Sequence, residues 1–255
     1  MLSLTENIVI VTIIVAASLL FTWLLNRFWP VDNRRAQNDL IGWQLTVLGT
    51  TNAVILGFML LTVWTNFGNA DVNVDFEANS LLNLYRLSEG LPSEQRAELQ
   101  QEARAYADTA IHQDWPQMAN NEVPQGTAKV NEIMWKTLMS VRPSSAIETT
   151  AVSNSISEIR ALSEHRHLRY LQSAATLPGM LWSVLIMGGI LTIASASMFG
   201  AQSRSLHGLQ VFSFSLLVSL SLVAIADINR PFQGSVCVHS YAFEHAQKDM
   251  QPDWK

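Results

Sequence analysis

Residues 40–70 read LIGWQLTVLGTTNAVILGFMLLTVWTNFGNA, a run without one charged side chain. A hydrocarbon layer about 30 Å thick is crossed by roughly 20 helical residues, and backbone polar groups in lipid must be satisfied within the helix itself. The run is therefore a transmembrane helix, with its membrane-crossing part at about 40–66. Its helical period does not stop where the apolar residues do. Ala70, Val74, Ala78, Leu81, Leu84 and Tyr85 carry it on through 71–88, DVNVDFEANSLLNLYRLS, until Gly90-Leu91-Pro92 ends it. One long helix is expected, bent at Gly68 and reaching about Ser88.

Three further stretches lack charge, 7–26, 170–203 and 205–226. With 49% apolar residues, 15% charged residues and a mean hydropathy of +0.17, the chain is too apolar for an ordinary soluble domain. Four transmembrane helices are expected, at about 7–29, 40–66, 178–199 and 206–228. Trp23, Arg27 and Trp29 mark the membrane edge of the first, and Pro178 and Trp182 the entry of the third. The 30–39 loop is too short to fold by itself, so the first two helices return antiparallel as a hairpin. Arg204 lies in the turn of the second hairpin.

Between the hairpins the pattern is helical but polar. Ser93 reads as a cap for a helix to about Gln113, Asn120, Asn121, Pro124 and Gly126 spell a loop, and 127–139 and 144–173 read as two more helices broken at Arg142-Pro143. The expected organisation is all-α: a hairpin at 1–66, a helical extramembrane domain at 67–177, a hairpin at 178–229 and a short tail at 230–255. In the tail, Ser235 to His239 reads as a brief strand and Tyr241 to Met250 as a helical turn or two. The domain carries fourteen acidic and nine basic residues between Gly68 and Pro178, a mildly acidic solvated body.

A net charge of −5 gives no basic face, which argues against nucleic acid as a partner. The single cysteine, Cys237, allows no internal disulfide. The first apolar stretch lacks a basic leader and a small-residue cleavage pattern, and reads as a retained helix. The short loops hold Arg27, Arg34, Arg35 and Arg204, whereas 1–6 and 67–85 have no Lys or Arg. Positive-inside reasoning places both loops in the cytoplasm and both termini, with the 67–177 domain, on the outer side.

Several residues stand out as candidates. Gly49, Ala53 and Gly57 recur every four residues and form a helix-packing face, against a helix of the same subunit, between subunits, or along a pore. Asn52 is polar at mid-membrane, must meet a packing partner or water, and is a candidate pore-lining residue together with Ile55, Phe58 and Met59. Asp71, Asp75 and Glu77 follow the membrane on the continuing helix and read either as a solvated face or as vestibule charge in an oligomer. Asp227 and Arg230, three apart, read as an ion pair at the membrane edge. His165 and His167 point to opposite helix faces, so no metal site is expected, and no phosphate loop, nucleophile elbow or catalytic constellation suggests a cofactor or an enzyme.

The residues Glu77-Ala78, Leu84-Tyr85-Arg86, Tyr106, Asp114-Trp115-Pro116-Gln117-Met118, Leu177-Pro178 and Asp227-Ile228-Asn229-Arg230-Pro231-Phe232-Gln233-Gly234, in this order, resemble the bacterial bestrophin-like family of membrane proteins of unknown function. The likeness covers nearly the whole chain. It implies a multi-pass protein of the bacterial inner membrane. By analogy with bestrophins proper it also implies a homo-oligomeric channel for inorganic anions, with the second helix lining the pore and Ile55, Phe58 and Met59 supplying its neck. Bestrophins proper hold their large domain in the cytosol, opposite to the side that the arginines indicate. A membrane-anchored interaction or sensor protein, with an exported helical domain and no pore, is the other expectation.

Overall fold

A computed structural model describes residues 4–251, and every regular element among them is helical. The chain divides into two compact units. One holds residues up to Thr65 together with Thr176–Asn229, and the other holds Asn66–Ala175 with the residues from Arg230 on.

The first unit contains α1 (Leu4–Phe28), the short α2 (Val31–Arg35), the first part of α3 (Asn38–Leu87), α8 (Gly179–Met198) and α9 (Arg204–Ile228). α1, α3, α8 and α9 are long and apolar enough to cross a membrane. α1 packs along α9 and α8, and these two along each other. Leu56 and Val63 of α3 close a small core with Leu185 of α8 and Ile225 of α9. The outward faces are apolar: Ile13, Leu20, Leu61, Ile190 and Leu217 are all exposed. So large an apolar surface suits lipid rather than water.

The turn between α1 and α3 is tied to the end of α8. Arg34, fully buried, donates to the Ser197 carbonyl at 3.3 Å and to Asn26 Oδ1. Asn38 donates to the Gly200 carbonyl at 3.0 Å and accepts from Gly200 N at 2.8 Å. A guanidinium on the last carbonyls of a helix satisfies acceptors that have no intrahelical donor and meets the negative end of the helix dipole. Gly200 has no room for a side chain, since a Cβ there would lie 2.7 Å from Arg35 N.

The second unit contains the rest of α3, then α4 (Ser93–Thr109), α5 (Trp115–Ala119), α6 (Gly126–Ser140), α7 (Ala146–Ala174) and α10 (Tyr241–Asp249). Its core gathers Val74, Leu81 and Leu84 of α3, Leu99 and Ala103 of α4, Met134 and Leu138 of α6, Ile159 and Leu162 of α7, and Phe243 of α10. α7 starts on a well-formed cap: Ser145 Oγ accepts from Glu148 N at 3.2 Å, and the Glu148 carboxylate accepts from Ser144 N at 2.7 Å.

α3 is helical through Gly68, as an interior glycine costs a helix only about 1 kcal/mol. Two local expectations need correction. The cap of α4 is Pro92 rather than Ser93, which begins the helix itself and makes no capping bond. Ser235 to His239 forms no strand, having no neighbouring strand to pair with among the described residues; Val238 N instead donates to the Pro231 carbonyl at 2.7 Å. The segment after α9 contributes to the core of the second unit, where Phe232, Val238, Phe243 and Met250 are all buried.

Candidate functional site

The membrane-crossing part of α3 has two unlike faces. Asn52, Leu56 and Val63 are buried, with Ile55 and Met59 half-buried beside them against Leu185, Ile225 and Leu222. Thr51, Val54, Phe58 and Leu61, spaced by three and four, lie on the other side and are exposed, Phe58 by 64%. Among the four residues considered for a pore lining, only Phe58 therefore faces outward. Asn52 turns toward α8, where a Cβ at Gly188 would collide with its Oδ1. Gly188 was not singled out in the sequence, where it is one of two adjacent glycines in an apolar helix. Only its placement opposite an amide gives it meaning.

The small-residue face also divides. A Cβ on Gly49 would lie 4.0 Å from Thr192 Cγ2 of α8, while Ala53 is exposed and a Cβ on Gly57 would meet nothing within 4 Å among the described residues.

The second unit holds a buried charge cluster. Arg169 of α7 donates through Nε to Glu77 Oε2 at 2.7 Å and through Nη2 to Glu77 Oε1 at 3.0 Å and Asp114 Oδ2 at 3.2 Å. Tyr106 Oη donates to Glu77 Oε1 at 2.7 Å. Asp114 in turn accepts from Gly126 N at 3.0 Å and from the Thr127 hydroxyl. None of these five side chains is more than 1% exposed. By sequence, Glu77 groups with Asp71 and Asp75, either on a solvated face or as vestibule charge. Glu77 is instead buried and neutralised by Arg169, whereas Asp71 and Asp75 are exposed.

Burial acts to lower the Arg169 pKa, but the Glu77 carboxylate, then Tyr106 and Asp114, raise it, so the guanidinium stays charged. Burial, reinforced by the charge of Glu77, pushes the Tyr106 phenol well above its usual range and keeps it a neutral donor. Arg169 also stacks over Trp115, 5.2 Å from the ring centroid.

The chain reaches this arrangement through a local widening. Ala110–Asp114 forms a π-helical turn between α4 and α5. Pro116 has no N–H to offer the His112 carbonyl, and the looser turn accommodates that loss while Asp114 stays on the buried face. Past α9, Gly234 adopts a φ of 90°, open mainly to glycine. Phe232 meets Trp115 edge-on at 5.9 Å. Arg230 donates to Gln233 Oε1 at 3.1 Å, and Asp227 lies in the last turn of α9. Gln233 Nε2 reaches the Met118 carbonyl at 3.0 Å.

Glu77, Tyr106 and Asp114 of the cluster, and Arg230 to Gly234 of the returning segment, are among the residues that carry the family resemblance. A model of the Bestrophin-like domain matches residues 12–243. The chain belongs to the bestrophin-like family. No curated protein matches it significantly. Among solved structures, a point variant of the bacterial bestrophin homologue from Klebsiella pneumoniae aligns with a TM-score of 0.73 at 11% identity, over 94% of this chain and 98% of that one. A second variant of that homologue gives 0.70 at 11% identity, over 94% and 97%. A crystal structure described as a membrane protein variant gives 0.70 at 11% identity, with the same coverage. At this identity the likeness establishes a shared bestrophin-like fold.

Proposed function

We propose that the chain is one subunit of a homo-oligomeric channel for inorganic anions, with α3 at the axis. The open face of α3 carries this reading. Thr51, Val54, Phe58 and Leu61 line one side of α3 and are exposed, while Asn52, Leu56 and Val63 fix the opposite side against α8 and α9. Cyclic symmetry would turn equivalent open faces toward a common axis. Phe58, the bulkiest of the four, would form an apolar constriction of the kind that gates by dewetting. Ala53 and Gly57 beside it leave room for a neighbouring subunit's helix.

Anion conduction is supported by family membership and by the absence of acidic side chains from 40–70. Asp71 and Asp75, exposed beyond that run, would form a negative ring at the vestibule, and their change to Asn should raise anion current. The arginine bias supports cytoplasmic hairpin loops in the bacterial inner membrane, with both termini and the 67–177 domain outside. The mass of the detergent-purified protein, micelle subtracted, tests the assembly: a closed ring of four or more subunits is expected. A monomer or dimer would leave no axis, and would favour a membrane-anchored interaction protein.

A further inference from the structure

Between α1 and α9, at their loop end, lies a half-open cavity of about 380 Å³ lined by Leu19, Trp23, Asn26, Arg27, Arg204 and Gly208, with Thr22 at its back. Arg27 is in the last turn of α1 and Arg204 opens α9. Both are exposed, and neither guanidinium has an ion pair or hydrogen bond among the described residues. No carboxylate among the described residues lines the cavity. Two other polar atoms of the lining are engaged: Thr22 Oγ1 donates to Ser197 Oγ at 3.0 Å, and Asn26 Oδ1 accepts from Arg34. Two uncompensated cations on one concave surface create a positive potential that an anion relieves.

We propose that this cavity binds an anionic phospholipid, with Arg27 and Arg204 holding the phosphodiester and an acyl chain lying along Leu19 and over Gly208. Two observations select a lipid over a free anion. Leu19 is eight residues before Arg27 on the same helix, so the lining runs ~12 Å from the arginine level toward the hydrocarbon, at about 1.5 Å per residue. A phosphate ion would fill only the mouth. In addition, a Cβ on Gly208 would meet nothing within 4 Å, leaving the wall open where a chain would lie. Trp23, 61% exposed, flanks the mouth as interfacial tryptophans do.

Native mass spectrometry of the detergent-purified protein, titrated separately with phosphatidylglycerol, phosphatidylcholine and inorganic phosphate, tests the site. Phosphatidylglycerol should be retained and phosphatidylcholine should not, and millimolar phosphate should not displace the lipid. The double variant Arg27→Gln with Arg204→Gln should weaken phosphatidylglycerol retention by roughly 10- to 30-fold, as expected for losing two basic contacts to an anionic headgroup. Gly208→Leu fills the chain groove without changing charge, and should weaken retention as well. Arg35→Gln, a charge paired with Asp32 in the adjoining turn, should leave it unchanged. Equal retention of the two lipids, undiminished retention in both the double and Gly208 variants, or an equal loss in Arg35→Gln would overturn the proposal. Displacement of the lipid by inorganic phosphate would overturn it in favour of a small-anion site.

Discussion

Arg169 and Glu77 meet side-on, Nε to Oε2 at 2.7 Å and Nη2 to Oε1 at 3.0 Å, and neither side chain is more than 1% exposed. The pair joins α7 to the extended half of α3 within one unit. A buried pair of this kind is costly to break, because the surviving partner keeps its desolvation penalty without compensation. Arg169→Leu should therefore destabilise the protein by about 3–5 kcal/mol. Tyr106→Phe, which removes one donor to Glu77, should cost about 1.5–3 kcal/mol. Thermal unfolding in detergent, followed by circular dichroism, measures both. If Arg169→Leu leaves the midpoint unchanged, the cluster is not what holds these helices together.

The contact between Gly188 and Asn52 predicts a coupled pair. Gly188→Ala places a Cβ against Asn52 Oδ1 and should cost about 1–3 kcal/mol, in the range of core overpacking. Asn52→Ala in the same chain removes the obstacle and should restore part of the loss. A double-mutant cycle on unfolding midpoints reads the coupling, and strict additivity would show that the two side chains do not meet.

Glu102 gives a pH-dependent prediction. Its carboxyl pKa is raised, first by burial and then by the charge of Glu98, against the hydrogen bond from Thr137 that lowers it. Because the folded pKa lies above the unfolded one, the protonated form favours folding. That contribution is full below the unfolded pKa and is lost as pH rises through the raised value. Glu102→Gln keeps an acceptor for Thr137, which donates to Glu102 Oε1 at 2.7 Å. It should stabilise the protein by less than about 1 kcal/mol at pH 7 and bring no gain below about pH 4. Unfolding midpoints across that range check the sign.

The proposed orientation rests on four arginines near the hairpin loops, and a reporter fused after residue 255 tests it. A fusion that is active only on the outer side of the membrane agrees with the arginine bias. Activity only in the cytosol would invert the topology and place the large domain where bestrophins proper hold theirs.

The four helices long and apolar enough to cross a membrane were legible because absence of charge over twenty or more residues has one dominant physical cause, the hydrocarbon layer. The continuation of α3 to Leu87 was legible for a related reason, since Ala70, Val74, Ala78 and Leu81 keep a helical period that only tertiary burial requires. The role of Glu77 was hidden. An acidic residue on a helix that also carries Asp71 and Asp75 looks solvated, and its partner Arg169 is 92 residues away, on a helix whose pattern gives no sign of a buried guanidinium. Sequence order alone hinted at it: Glu77, Tyr106 and Asp114 all belong to the family pattern, and the fold brings them to one point. Arg34 was hidden in the same way. It reads as a loop charge that sets orientation, yet it is fully buried against the end of α8. The direction of Asn52 depended on Gly188, and a local period cannot say which face of an all-apolar helix meets another helix.

The most direct test is the current carried by the purified protein in planar bilayers, in symmetrical chloride and then with a large impermeant anion on one side. Wild-type protein should conduct chloride, and Phe58→Ala should enlarge the current by widening the apolar constriction on α3. Absence of current from both proteins, across salt and pH, would contradict a channel with α3 at its axis.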